Sequence, residues 1–133
     1  MSMQDLPLSG VRVVEMTHMV MGPTCGMILA QLGAEVIKVE PPGGDPNRSF
    51  PPLIDGGSGW FAYLNYGKKS VTSDKVDLDG LLRGADVLID SAGTDYGAQS
   101  PLVAIDLSWF GRSGPYCDFK ASDAVCRALA GFV

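Results

Sequence analysis

Residues 11–40 read VRVVEMTHMVMGPTCGMILAQLGAEVIKVE, and the fold turns on this stretch. Val11 to Met16 is short and rich in β-branched residues, as a buried strand is. Gly22-Pro23 then closes a loop and opens a helix, because the fixed φ of proline suits a first helical position, where a missing N–H costs nothing. Cys25, Ile28, Leu29 and Leu32 recur at helical spacing and form an apolar stripe. Gly33 supplies a left-handed stop, and Glu35 to Glu40 returns to strand character. Strand, helix and strand make a βαβ unit. Its crossover is right-handed in nearly all proteins, so the two strands are expected to be parallel, with the helix on one face. A second stripe on that helix, Gly22, Gly26, Ala30 and Gly33, is small and predicts close approach of another backbone.

Downstream, residues 41–59 are rich in proline and glycine and read as a long surface loop. Trp60 to Leu64 is aromatic and expected to fold back onto the core, leading into a turn with two adjacent cations, Lys68 and Lys69. Val71 to Ser73 reads as a short strand, Asp77 to Gly84 as a brief helix with Leu78, Leu81 and Leu82 inward, and Asp86 to Asp90 as a buried strand. Ser91 to Pro101 is expected to be loop, Leu102 to Leu107 a last strand, Gly111 to Tyr116 a glycine-rich loop and Ser122 to Ala130 a helix. Strands alternating with helices predict an α/β fold, a Rossmann-like parallel sheet with flanking helices. In that class ligands bind beyond the carboxyl ends of the strands, where Glu40, Asp90 and Asp106 fall. Each of these acids could equally cap the following helix or simply be solvated, and for any one of them that is the expected role.

With 133 residues, 46% of them hydrophobic, the chain can build one core, and a single domain is expected. A formal charge of −5 argues against non-specific binding to nucleic acid or to anionic membrane, both of which want a basic face. Cys25, Cys117 and Cys126 are odd in number and not closely spaced, and read as reduced core thiols of a cytoplasmic protein. The first residues have neither a basic nor an apolar leader segment, and no apolar run approaches the ~20 residues of a membrane span.

An acid at the end of the second strand invites a dinucleotide-binding reading, with Glu40 on a ribose. The first loop, Thr17 to Pro23, lacks the G-x-G-x-x-G spacing that lets a backbone approach a pyrophosphate, so NAD is a minor alternative. His18 is the sole histidine and reads as a loop residue rather than a base, and the cysteines and His18 lack metal-ligand spacing, so no metal is expected. Lys68 and Lys69 after a glycine turn could hold a phosphate or be solvated surface lysines.

In order, these pieces resemble the class III CoA-transferase family, which includes formyl-CoA transferase, carnitine CoA-transferases and α-methylacyl-CoA racemase. The resemblance is carried by Leu8 to Glu15, Gly22-Pro23, Leu32 to Asp45 with Arg48 following, Asn65 to Val71, Ala85 to Ile89 and Phe110 to Tyr116. It implies transfer of CoA between carboxylic acids in acyl-CoA metabolism: an aspartate attacks the acyl-CoA to give a mixed anhydride, and CoA thiolate then gives an enzyme thioester. It also implies coenzyme A or acyl-CoA as substrate, a carboxylic acid as second partner, and CoA contacts at Met19 and Val20, at Glu40 and Pro41, and near Lys75, with Lys68 and Lys69 as nearby candidates on charge grounds.

The sequence departs from the family at several points. The nucleophilic aspartate of the transferases lies in a Gly-Asp motif downstream of the helix that ends near Gly131, beyond Val133. Asp123 matches the aspartate that follows a catalytic histidine in the racemase, but Ser122 precedes it here, so Asp123 is a catalytic candidate that could instead stabilise its helix start. After Asp90, Ser91 to Thr94 replaces the family's Glu-Asn-Phe-Arg-Pro-Gly, and the following helix has no counterpart. Pro41 stands where a basic residue is usual. The expectation is one amino-terminal CoA-binding-type α/β domain over residues 1–133, incomplete relative to the full family domain, as a fragment or degenerate half of a larger enzyme. Such a chain is expected to be inactive alone and to pair as a homodimer or with the remainder of a longer chain. The alternative is a non-catalytic structural or CoA-binding module that has lost the nucleophile.

Overall fold

The computed structural model describes residues 6–93 and 103–132. Its main sheet has five parallel strands, β1 (Arg12–Met16), β2 (Glu35–Glu40), β5 (Lys69–Thr72), β6 (Val87–Asp90) and β7 (Val103–Asp106), in the order β5-β2-β1-β6-β7. Val14 lies opposite Ile37 of β2 on one side and Leu88 of β6 on the other. The chain winds outward from β1 in both directions, so the strand order reverses at β1 and β6, the place where doubly wound sheets open a crevice at the carboxyl edge. The expected α/β class and parallel βαβ unit are both present. Helix α1 (Met21–Gln31) joins β1 to β2, and α3 (Leu78–Arg83) precedes β6.

Two apolar layers flank the sheet. Val14, Val39, Leu82, Ala85 and Leu88 pack on the α3 side, where Leu78 and Leu81 join them. Val13, Ala34, Val36 and Ile89 pack on the α1 side with Cys25, Leu29 and Ala30. Asp77 caps α3 by accepting the Gly80 N–H at 3.1 Å, as a helix-start aspartate does.

Helix α1 seats only half of its apolar stripe, Cys25 and Leu29, on the sheet. Ile28 and Leu32 remain 48% and 41% exposed, whereas Gly22, Pro23, Gly26 and Met27 are buried. The small stripe faces inward, and side chains rather than a backbone come close to it. A Cβ on Gly22 would stand 2.1 Å from Thr17 Oγ1, and one on Gly26 would stand 2.1 Å from Glu15 Oε2. The helix therefore lies on top of polar groups rising from β1, and a larger inward side chain would displace them.

The segment after β2 is more structured than expected. It holds a 3-10 helix (Pro46–Ser49) and a hairpin of β3 (Leu53–Ile54) and β4 (Gly57–Ser58), and Asp45, Asn47 and Ser58 are buried. Ser58 caps α2 (Gly59–Leu64) by accepting the Phe61 N–H. Leu64 is buried, but Trp60 and Tyr63 are exposed, so the aromatic stretch folds back only in part. Helix α4 (Asp123–Leu129) buries none of its residues, and Cys117, expected in the core, is exposed. Most of the expected Ser91 to Pro101 loop, and Leu102 of the last strand, lie outside the described residues.

Candidate functional site

Four charged side chains meet beneath the first half of α1. Glu15 on β1 is fully buried, and its Oε1 accepts from Lys38 Nζ at 3.1 Å and from Thr17 Oγ1 at 3.0 Å. Its Oε2 accepts from Lys68 Nζ at 2.6 Å. Lys38 also donates to the Thr17 carbonyl at 2.7 Å, and its Nζ lies 2.8 Å from Asp45 Oδ2, close enough for an ion pair although not aligned as a hydrogen bond. Lys68 completes its three donors on the Pro23 carbonyl at 2.8 Å and Asn65 Oδ1 at 2.9 Å. Two acids and two bases balance, which is the condition for keeping charge away from water. Burial pulls the Lys68 ammonium pKa down, and Glu15 opposes that pull.

Beside this group, Glu40 at the end of β2 is also buried. Its carboxylate takes a forked contact from Arg48, Nε at 2.7 Å and Nη2 at 2.6 Å, together with Ser70 Oγ and the Asp45 N–H at 2.8 Å. Burial alone would raise its pKa, but Arg48, Ser70 and Asp45 outweigh it and hold the carboxyl at about 2. Arg48 in turn stands over the Phe61 ring, 4.1 Å from its centroid.

The structure brings several of the sequence candidates to one edge. Met19 and Val20 form the exposed turn after β1, Glu40 and Pro41 end β2, and Lys75 lies in the turn after β5, with the Ser73 N–H on the Glu40 carbonyl. All stand at the carboxyl edge. Val20 occupies the N-cap of α1 and gives no side-chain acceptor, so no side chain there caps the first-turn N–H groups.

The other candidates stand apart. Lys68 is neither a surface lysine nor a phosphate hand, because its side chain is 1% exposed and all its donors are engaged. Lys69, the next residue, points to the opposite face, as strand alternation requires, and pairs with Glu35 at the amino edge. Asp123 is 84% exposed in the first turn of α4 and faces Arg127 at 3.8 Å. Farther along the carboxyl edge, a cleft of about 360 Å³ opens between Ser91, Asp106, Ser108, Arg112, Cys117 and Asp118, with Arg112 on the Asp106 carboxylate.

The sequence reading passed over Glu15, Lys38, Asp45 and Asn47. A signal was present for the first two, since a charge inside Val13-Val14-Glu15-Met16 or Val36-Ile37-Lys38-Val39 must be buried if the strand is central. Asp45 and Asn47 carried none, because a polar residue in a glycine-rich segment reads as solvated.

Comparison with known proteins agrees with this architecture. The model of CoA-transferase family III matches residues 8–133. The chain is 35% identical to the succinate–glutarate CoA-transferase of Agrobacterium fabrum, over 96% of its own length and 38% of that protein's. It is 36% identical to the formyl-CoA:oxalate CoA-transferase of Streptomyces avermitilis, over 93% of its length and 35% of the relative's. The crystal structure of a CAIB/BAIF family protein from Brucella suis superposes with a TM-score of 0.86 at 32% identity, covering 96% of this chain and 40% of that one. The Agrobacterium match runs over 153 positions, more than the 133 residues present here, so the relative carries residues within the matched region that have no counterpart. The chain spans well under half the length of these relatives, and by the match along nearly all of its own length it belongs to CoA-transferase family III.

Proposed function

We propose that the carboxyl edge of this sheet is the CoA-binding edge of a class III CoA-transferase acting on an acyl-CoA and a carboxylic acid. The observation that carries this reading is the convergence there of Met19 and Val20 after β1, Glu40 and Pro41 at the end of β2, and Lys75 after β5, in a chain of this family, with Glu40 contributing its backbone because its carboxylate is buried and taken by Arg48, Ser70 and Asp45. Uncapped N–H groups at the start of α1 and the exposed ammonium of Lys75 suit the phosphates of CoA. Lys68 has a different part, as the internal counter-ion that ties β5 to β1 and α1, and Lys69 stays at the far edge. In the reaction implied by the family, an aspartate attacks the thioester carbonyl and expels CoA thiolate. The thiolate attacks the resulting anhydride, releases the first acid and leaves CoA on the aspartate, and the second acid reverses both steps to leave as the new acyl-CoA. Asp123, exposed on α4, is proposed as a helix-start residue and not as that nucleophile. The outward-facing Ile28, Leu32, Tyr63 and Leu129 support burial of these faces by the remainder of a longer chain or by a second copy.

Titration calorimetry of CoA and acetyl-CoA into the 133-residue chain tests the reading. Binding weakened about tenfold by Lys75→Ala, the loss of one charge-assisted contact, and unchanged by Lys69→Ala is expected. No heat from either ligand, or equal losses in both variants, refutes a CoA site on this edge. A second reading, a non-catalytic module, is favoured by the residues that the Agrobacterium relative has and this chain lacks. Complementation with the downstream portion of a family relative, yielding no CoA transfer despite CoA binding, would select it.

A further inference from the structure

Met19 is a non-glycine residue with φ of 67°, in the left-handed region where a Cβ crowds the backbone. The residue is 46% exposed, so burial is not what holds it there. What holds it is a hydrogen bond from Asn47 Nδ2 to the Met19 carbonyl at 2.7 Å, reaching across 28 residues of sequence. Asn47 is wholly buried, and its Oδ1 has no hydrogen-bond partner. Burying an amide with one end unsatisfied is unfavourable, so stability alone is a poor reason for an asparagine there.

Asn47 is itself anchored. Its N–H donates to Asp45 Oδ1 at 2.8 Å, and the Asp45 N–H donates to Glu40 Oε2 at 2.8 Å. Lys38, beside Asp45, donates to the Thr17 carbonyl at 2.7 Å. The β1–α1 loop is thus tied at two carbonyls, Thr17 and Met19, by residues belonging to β2 and the segment after it.

We infer that Asn47 is a positioning residue: it clamps the Met19 carbonyl so that the strained left-handed turn holds the Met19–Val20 backbone in register with the end of β2, where CoA is received. The inference rests on the CoA reading above for its ligand, but the clamp has its own readout. The other tie, Lys38 on the Thr17 carbonyl, lies two residues upstream and does not fix φ at Met19, so without the Asn47 donor the turn relaxes and the edge loses its shape before any ligand arrives.

The test compares the wild-type 133-residue chain with Asn47→Ala, Asn47→Asp, Met19→Gly and the Asn47→Ala/Met19→Gly double variant. Three-bond HN–Hα couplings and Cα shifts report φ at position 19, and CoA calorimetry is run on each protein. The wild type is expected to show positive φ at Met19 and slow exchange of the Asn47 side-chain amide protons. Both Asn47 variants are expected to move Met19 to negative φ and to weaken CoA binding at least tenfold. Met19→Gly, which removes the Cβ penalty, restores part of that binding in the Asn47→Ala background. Retention of positive φ without Asn47, unchanged CoA affinity after the turn has relaxed, or fast Asn47 amide exchange in the wild type overturns the inference. If the turn relaxes as expected and the wild type takes up no CoA, the clamp stands and the CoA reading falls.

Discussion

Gly26→Ala should destabilise this protein, although in most helices the same change does the reverse. In an ordinary helix interior alanine gains about 1 kcal/mol over glycine, because it loses less backbone entropy on folding. Here the new Cβ would lie 2.1 Å from Glu15 Oε2 and 3.2 Å from both Glu15 Cδ and Lys68 Cε. A flexible carboxylate could swing away cheaply, but this one is fully buried and held by Lys68 at 2.6 Å and Lys38 at 3.1 Å. Overpacking a core costs about 1–3 kcal/mol, and parting a buried ion pair about 3–5 kcal/mol. Partial relaxation of both, set against the helix gain, leaves a net loss of about 2–4 kcal/mol out of the roughly 5–15 kcal/mol that holds such a domain together. Urea unfolding followed by far-UV circular dichroism measures it as a lower midpoint at unchanged slope. Glu15→Asp retracts the carboxylate by one methylene, so in its presence the cost of Gly26→Ala should shrink. A Gly26→Ala midpoint at or above wild type would refute the close seating of α1 on Glu15.

Three further outcomes follow from the same geometry. Lys68→Met keeps the length of the side chain but strands Glu15 Oε2, the Pro23 carbonyl and Asn65 Oδ1, and should cost about 3–5 kcal/mol in chemical denaturation; a loss under about 1 kcal/mol would mean that the pair is not buried. Because the Glu40 carboxyl is held at about 2 in the folded chain, below its unfolded value, its contribution is complete above about pH 5 and is lost as pH falls toward 2. That contribution is worth about 2–3 kcal/mol after allowance for the half-exposed Arg48, and acid unfolding of Arg48→Met should lack most of it. Asp123→Asn, at an exposed position facing Arg127, should change the unfolding free energy in urea by no more than an ordinary surface substitution, about 0.5 kcal/mol; a larger change would point to a docked role for α4.

The frame of the fold was legible in the sequence because it rests on periodicity and punctuation. Arg12–Met16, Met21–Gln31 and Glu35–Glu40 follow from a β-branched run, a Gly-Pro pair and a Gly33 stop, all local signals, although the helix starts at Met21 and Pro23 is its third residue, still in the first turn where a missing N–H costs nothing. The inward face of α1 was legible only in part: Cys25 and Leu29 of the apolar stripe pack on the sheet, but Ile28 and Leu32 do not, and the glycine side is received instead. Two charges, Glu15 of β1 and Lys68 just before β5, occupy the glycine side, and only glycines leave them room. The same non-local cause hid the difference between Lys68 and Lys69, whose side chains part to opposite faces once β5 is paired. The carboxyl-edge set at Met19, Val20, Glu40, Pro41 and Lys75 was reachable through the family resemblance. Asp45 and Asn47 were not, since a buried aspartate and asparagine in a proline- and glycine-rich segment become sensible only when Lys38 and Met19 stand beside them.

The balanced quartet also limits how a lineage can vary these positions. Replacing any one of Glu15, Lys38, Asp45 or Lys68 by a neutral residue leaves a net charge sealed beneath α1, where no water can compensate it. Removing an acid and a base together keeps the sum at zero, and an apolar pair of similar volume can even be the more stable solution. The path to that pair nonetheless passes through a single replacement that lacks half of it. Descendants of this sequence are therefore expected to change these sites in twos, or to exchange within one sign, lysine for arginine and glutamate for aspartate, with Gly26 free to enlarge only after Glu15 has shortened.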